Sequence, residues 1–329
     1  SETARLNAWL DARYEEELAF SPLHQTSLGR KTNYDQVDDL SEAAELEQYR
    51  WLEKTVEDMK REFDYEKLSP EAKISYDYWI YRQQLDGSTL PFIRHDYVFS
   101  QQSGPHSQLP QFLINLHRVD TEQDMLAYIA RIKGLSRALN QLLERSQLAA
   151  RQGIRPPRFA YESVIEVSGK VITGAPFDPS SAEDSPIWAD ANSKIDGLLE
   201  QGLIDQDKAG LLRKQAAAAL RGDLLPAYQN LIGWLQRDMP NTDTQARGVY
   251  ALPNGRAYYG QQLAANTTTA RTAAEIHRIG LEEVARIRRE MEEVKEQLGF
   301  EGTLQQFFDF IRLDEQFYFA NDDAGRQAY

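Results

Sequence analysis

Apolar residues that recur at intervals of three and four constrain the fold of this chain more than any other feature. The spacing matches one face of a helix with 3.6 residues per turn, and polar residues fill the remaining positions. Three such stripes are Leu6, Trp9, Leu10, Tyr14 and Leu18; Leu46, Tyr49, Leu52, Val56, Met59 and Phe63; and Met125, Ile129, Ile132, Leu135, Leu139 and Leu142. We therefore predict an all-α fold of long helices in a bundle-like array, with few or no short strands.

Residues that start and stop helices agree with these stripes. Ser41, Ser69 and Thr121 each stand where an N-cap side chain is needed. Gly87 is predicted to end the helix that follows Ser69. Residues 159–172 fit either a strand or a helix, and their helical neighbours favour the helix.

A proline-rich and serine-rich segment, residues 173–187, suggests an internal boundary. It predicts an N-terminal helical subdomain at 1–175 and a second helical subdomain at 176–329. Within the second, Thr272 and Glu275 form a capping box at the start of a near-heptad apolar stripe that runs to Gly299. We predict that this stripe belongs to one packed helix of a bundle.

Charge and composition exclude several classes of partner. The 329 residues include 37 basic and 51 acidic side chains, a formal charge of −14. Such a field repels polyanions, so we expect no nucleic-acid partner. No uncharged apolar run approaches the length of about 18 residues that a transmembrane helix requires, so we expect no transmembrane segment. The chain has no cysteine, which excludes disulfides and thiolate ligands.

No catalytic motif is present in the sequence. The five histidines are His24, His95, His106, His117 and His277, and no two of them are three or four residues apart. A His-Glu-x-x-His zinc helix is therefore absent, because that site needs both imidazoles on one helical face. The sequence also lacks a Gly-x-Ser-x-Gly nucleophile turn. We predict no catalytic residue, no metal ligand and no cofactor in this chain.

Two loop segments have the composition of a binding surface. Residues 94–106 crowd aromatic, amide and imidazole groups among turn-forming residues, and residues 252–259 carry a Pro-Asn-Gly turn into paired tyrosines. An ordered connection and two packed aromatics at a helix start are the alternative interpretations. If the second segment continues as a helix, the two tyrosines point about 100° apart, so one can pack inward while the other offers its hydroxyl group. The predicted substrate-binding residues are Tyr258, Tyr259, Asn254, Gly255, Gln102, Gly104 and His106.

Several segments, taken in order, resemble one bacterial family. The first is 6–29, which includes Tyr-Glu-Glu-Glu-Leu at 14–18 and Ser-Pro at 21–22. The others are 102–110, 128–132, 153–159, 252–259, 267–269 and 275–284. No single motif is specific, but the order spans nearly the whole chain. In this order the segments resemble the family called domain of unknown function 885. The resemblance implies a predominantly helical protein that is longer than this chain and often secreted or anchored as a lipoprotein. It also implies a grouping with zinc metallopeptidases, through a His-Glu motif followed by Pro-Gly-His-His in the second half.

The chain resembles only the first half of that family and stops at Tyr329, before any zinc motif. The resemblance therefore implies a non-catalytic helical half that forms the wall or lid of a peptide-binding cleft, with zinc expected only in the missing C-terminal half. Peptide is then the substrate of the full-length protein, and this fragment by itself should not hydrolyse peptides.

The alternative hypothesis is a periplasmic binding or scaffold module without enzymatic activity. The resemblance implies a periplasmic or outer-membrane-anchored location and allows a lipid anchor before Ser1, whereas the sequence by itself also permits a cytoplasmic location. If Tyr329 interrupts a larger fold, we expect a solvent-facing apolar patch near the C-terminus, or a dimer that hides it.

Overall fold

The computed structural model describes residues 1–329 as helices joined by loops, with one isolated β-bridge between Ala175 and Asp184 and no β-strand. The prediction of an all-α fold is confirmed. The helices are α1 Glu2–Ala19, α2 Pro22–Ser27, α3 Glu42–Glu62, α4 Pro70–Thr89, α5 Pro105–Leu116, α6 Glu122–Arg151, α7 Arg158–Val171, α8 Pro186–Glu200, α9 Gln206–Ala219, α10 Leu225–Asp238, α11 Gly255–Thr267, α12 Ala273–Gln297, α13 Leu304–Leu313 and α14 Asp323–Ala328. The contacts divide the chain into a first unit, Ser1–Tyr259, and a second unit, Gly260–Tyr329.

The predicted N-caps are present. The hydroxyl groups of Ser41, Ser69 and Thr121 accept hydrogen bonds from backbone N–H groups three residues later. The prediction that Gly87 ends its helix is wrong, since α4 continues to Thr89. A glycine ends a helix when it takes a positive φ, and Gly87 is not among the glycines that do so.

The larger core of the first unit surrounds α6. This 30-residue helix packs against α5, α8, α9 and α10, while α7 packs against α5 and α10. Leu113, Met125, Tyr128, Ile132, Ile195 and Leu231 are fully buried there. A π-helical turn, Leu220–Leu224, joins α9 to α10, and Pro226 follows it. Since proline has no N–H group to donate, the regular bonding pattern is interrupted at this junction.

A second, smaller core of the first unit lies among α1, α3 and α4. Leu6, Leu52, Val56, Met59 and Trp79 are buried in it. Trp9 stands edge-on to Phe63 and Trp79, with ring centroids 5.9 and 6.2 Å apart. Acidic and basic side chains cover the outer faces of the same helices, as the apolar spacing predicts.

Residues on both sides of the predicted subdomain boundary at 175/176 belong to one core. Tyr161 and Val164 precede it, Ile187 and Ala191 follow it, and all four lie in the cluster around α6. The proline-rich segment is an ordered excursion between α7 and α8, in which Ala175 bonds through its N–H to Glu183 and through its carbonyl to Ser185. The division into compact units lies elsewhere, at 259/260.

The second unit has much less interior. Its buried residues include Leu304 and Phe307 of α13, and the ring of Phe300 lies 5.2 Å from those of Phe307 and Phe310. The helix α12, which was predicted to pack within a bundle, contacts α13, but none of its residues is buried. The expected apolar surface near the C-terminus is present, on Leu313, Phe317, Tyr318 and Phe319.

Candidate functional site

The structure brings together parts of the two segments that were predicted from sequence to form a binding surface. The His95 Nε2 atom lies 2.8 Å from the carbonyl oxygen of Pro253. The ring of Tyr258 lies 5.1 Å from that of His95 and 5.8 Å from that of Phe92. The Tyr258 hydroxyl group donates a hydrogen bond to the Asp96 carboxylate. These contacts fix the start of α11 against the loop that follows α4.

The two tyrosines divide as the helical geometry predicts. Tyr258 is buried, and burial together with the bond to Asp96 raises the pKa of its phenol well above the usual value. Its hydroxyl group is therefore committed within the protein. Tyr259 is 46% exposed and is the member of the pair that can meet a ligand.

The turn before α11 has a backbone that few sequences can adopt. Asn254 has a φ of 54°, a left-handed conformation that asparagine tolerates. A methyl group at Gly255 would lie 2.0 Å from the carbonyl oxygen of Val249, so only glycine fits there. The same segment presents Tyr250, which is 63% exposed, and the Arg256 guanidinium group lies 4.8 Å from its ring centroid.

The predicted residues of the other loop have a different setting. His106 is buried at the start of α5, its carbonyl oxygen accepts a 2.5 Å hydrogen bond from Tyr228, and its Nδ1 atom has no partner. Burial lowers the pKa of His106 to about 4. A methyl group at Gly104 would lie 2.9 Å from that Nδ1 atom. Gln102 is exposed, and no hydrogen bond or ring contact joins Gln102, Gly104 or His106 to Asn254–Tyr259.

The cavity beside Asp96 is small. A cavity of about 20 Å³ is lined by Asp96, Tyr97, Tyr161 and Trp234 among others, which is room for roughly one water molecule. Beside it, the Arg155 guanidinium group and the Tyr161 hydroxyl group both donate to Asp238, at 2.8 and 3.0 Å. Burial alone would raise the pKa of Asp238, but the bonds from Arg155 and its neighbours lower it. A cavity of this size does not admit a peptide.

Sequence reasoning missed three residues of this region. Asp96 lies inside the segment that was singled out, but composition does not show which polar residue pairs with which tyrosine. Tyr250 and Arg256 lie on either side of the Pro-Asn-Gly turn. A turn brings the residues before and after it into contact, so the turn in the sequence could have indicated that these two side chains meet.

No group of three or more His, Cys, Asp or Glu side chains is placed to hold a metal ion. His117 has a structural role. Its Nδ1 atom lies 3.0 Å from the Arg131 guanidinium group, and its Nε2 atom lies 2.9 Å from the carbonyl oxygen of Asp124. The residues present therefore do not fit the metal that the resemblance implies for the family. None of the helices combines the length and apolar character needed to cross a bilayer.

Comparison with known proteins gives a fold neighbour and a family. A search of curated proteins found no significant match. The fold is similar to the crystal structure of "the putative lipoprotein from Colwellia psychrerythraea", with a TM-score of 0.73 and 20% sequence identity. The match covers 100% of this chain and 57% of that one, so the chain spans little more than half the length of this neighbour. The model of the family "Bacterial protein of unknown function (DUF885)" matches residues 22–329. The chain therefore belongs to the DUF885 family.

Proposed function

We propose that this chain is the non-catalytic helical part of an extracytoplasmic protein, and that its 249–259 segment forms one wall of a peptide-binding cleft. The observation that carries the proposal is a rigid segment that presents two exposed tyrosines, Tyr250 and Tyr259. The cleft would lie on the outer face of the segment, where these two rings are exposed.

Rigid exposed tyrosines suit peptide recognition. Each offers a large apolar ring and a hydroxyl group at the cost of only two side-chain torsions. Hydrogen bonds join His95 to the carbonyl oxygen of Pro253 and Tyr258 to the carboxylate of Asp96. Because these bonds hold the segment, its backbone loses little conformational freedom on binding. The exposed amides of Asn254 and Gln102 could add hydrogen bonds to a peptide backbone.

Two further considerations support the non-catalytic role and the location. The family resemblance implies that zinc and its general base come from a half of the protein that this chain does not include. The fold neighbour is described as a lipoprotein, which supports a periplasmic location and a lipid anchor for this protein as well.

Fluorescence anisotropy with a degenerate pool of fluorescein-labelled octapeptides tests the proposal. The double variant Tyr250→Ala with Tyr259→Ala should bind the pool at least about tenfold more weakly, because aromatic anchors dominate peptide contacts. The matched control is Tyr14→Ala with Tyr78→Ala, two tyrosines of α1 and α4 that are 43% and 61% exposed. Equal anisotropy curves for the two double variants would remove the tyrosines from the binding surface.

A second candidate function is a helical scaffold, which the exposed apolar stripe of α12 favours; part of this stripe borders a groove that Leu304 and Phe308 of α13 also line. The apolar residues of α12 alternate in spacings of three and four and stay 40–69% exposed: Val284, Ile287, Met291, Val294 and Leu298. Glutamates precede this seam at 283 and 290, and basic residues follow it at 288 and 295. In two parallel helices of this pattern, each glutamate faces the basic residue five positions later in the partner. Within the chain the two glutamates pair with Arg286, and Lys295 pairs with Glu292, so a parallel second copy would replace these ion pairs with pairs across the seam.

Sedimentation equilibrium tests this candidate. The chain should dimerise as its concentration rises, and the variant Ile287→Asp with Met291→Asp should stay monomeric because it places charges in the seam. A wild-type chain that is monomeric throughout would exclude the scaffold built from two copies.

A further inference from the structure

A polar cavity of about 250 Å³ opens among α1, α3 and α4 of the first unit. It is distinct from the 249–259 segment and uses other helices. Its wall includes Glu17, Glu45 and Asp86 as carboxylates and Phe20, Tyr49 and Trp51 as aromatic rings. A cavity of this size accommodates a small organic molecule.

One of the three carboxylates has no partner. Glu17 forms a two-point ion pair with Arg82, with one bond of 2.7 Å. Glu45 is paired with Arg145. The Asp86 carboxylate receives no hydrogen bond, although it is partly buried. Burial raises its pKa despite the opposing effect of nearby Arg82. Arg82 also lines the cavity, but its guanidinium group is bonded to Glu17 and acts on Asp86 only through its charge, so the Asp86 carboxylate is left without a direct partner.

The aromatic walls are fixed in place. The Trp51 indole donates a 3.1 Å hydrogen bond to Glu16, and its ring stands edge-on to Phe20 at 5.6 Å. The Tyr49 hydroxyl oxygen accepts a 2.9 Å hydrogen bond from Gln83, which leaves its own proton free to be donated. Aromatic rings held beside a carboxylate favour a cation over a neutral ligand.

Gly87 supplies a further observation at the same place. A methyl group there would lie 2.7 Å from the Tyr49 hydroxyl oxygen. Glycine inside a helix costs roughly 1 kcal/mol relative to alanine. The sequence thus carries a locally unfavourable residue that keeps room for this hydroxyl group at the cavity wall.

We propose that this cavity binds a small organic cation, with its ammonium group on the Asp86 carboxylate and its carbon skeleton against Trp51 and Tyr49. A divalent metal ion fits less well, because two of the three carboxylates are already held by arginines. A sugar would contact the aromatic rings but would leave the charge of Asp86 without an ion-pair partner. The formal charge of −14 also attracts cations to the chain.

Isothermal titration calorimetry with hexylammonium chloride tests the proposal on the whole chain. Asp86→Asn should weaken binding at least about tenfold and leave the unfolding temperature unchanged or higher, because it removes an unpaired, partly desolvated charge. The matched control is Glu53→Gln, an exposed acid on α3 whose loss should leave the affinity unchanged. Trp51→Leu provides a second variant and should weaken binding several-fold through loss of the aromatic wall.

Two results would overturn the proposal. One is hexylammonium binding that is equally tight in Asp86→Asn and in the wild type. The other is binding of 1-hexanol or methyl glucoside that matches or exceeds that of hexylammonium, since the carboxylate would then contribute nothing to recognition.

Discussion

The two units of the chain use similar sequence patterns with opposite outcomes. In the first unit the apolar stripe of α6 is enclosed on several sides, and 15 of its residues are buried. In the second unit the apolar stripe of α12 is just as regular, yet no residue of that helix is buried. The comparison teaches that apolar spacing determines that a helix forms and which face is apolar, but not what covers that face.

The largest expected effect concerns Arg131, which is fully buried in the first unit without a carboxylate partner. It donates to the Gln36 carbonyl at 2.9 Å, to His117 Nδ1 at 3.0 Å and to the Thr26 hydroxyl at 2.7 Å, and it lies over the ring of Tyr34. Arg131→Ala leaves these acceptors unsatisfied around a cavity. We expect it to lower the free energy of unfolding by about 3–5 kcal/mol, measured by urea unfolding.

The matched control is an arginine of the second unit. Arg286 forms ion pairs with Glu283 and Glu290 on the exposed face of α12. Arg286→Ala should leave the urea midpoint of the first unit where it was, because exposed ion pairs contribute little. If the two substitutions shift that midpoint equally, the contrast between the units does not hold.

Two leucines, one from each unit, allow the same comparison with a smaller expected effect. Leu231 is fully buried in α10, whereas Leu298 at the end of α12 is 69% exposed. Leu231→Ala should cost about 2–5 kcal/mol, since it leaves a cavity in a packed core. Leu298→Ala should cost less than about 0.5 kcal/mol. The measurement is again urea unfolding, and a comparable loss for Leu298→Ala would show that something covers the α12 seam in solution.

The stability of the first unit should also depend on pH through its buried imidazoles. Burial, with a smaller contribution from Arg131, lowers the pKa of His117 to about 4, against about 6.5 in the unfolded chain. The unfolded state therefore binds the proton more readily, so this contribution is complete above pH 6.5 and is lost as the pH falls to 4. The full loss is about 3 kcal/mol. His117→Gln should reduce the slope of unfolding free energy against pH over this interval, and an unchanged slope would exclude His117 as its source.

Much of the fold was predictable because helix signals are local. The caps at Ser41, Ser69 and Thr121 and the Asn254 turn depend on neighbours a few residues away, and the structure contains all of them. Gly87 was misjudged because its role depends on Tyr49, 38 positions earlier in the chain. Such a contact leaves no periodic trace in the sequence.

The candidate site was predictable only in part for the same reason. Composition identified the segments at 94–106 and 252–259, and helical geometry indicated that Tyr258 and Tyr259 would face different surroundings. The pairing of Tyr258 with Asp96 spans 162 positions and follows from tertiary packing alone. His106, which was predicted to face a ligand, is buried, and its carbonyl oxygen accepts a hydrogen bond from Tyr228.

The smallest expected effect comes from two matching capping boxes, one in each unit. Thr121 caps α6 and Thr272 caps α12, each through a hydroxyl group that accepts from the residue three positions later. Replacing either threonine by alanine should cost about 1 kcal/mol of local helix stability. In α6 the loss should lower the global unfolding free energy, because that helix opens only with its core. In α12 it should appear as faster amide hydrogen exchange in the first turns, with the urea midpoint of the first unit unchanged. If both variants lower the global unfolding free energy equally, α12 unfolds together with the first unit. The helix that carries the exposed seam would then be as stable as α6.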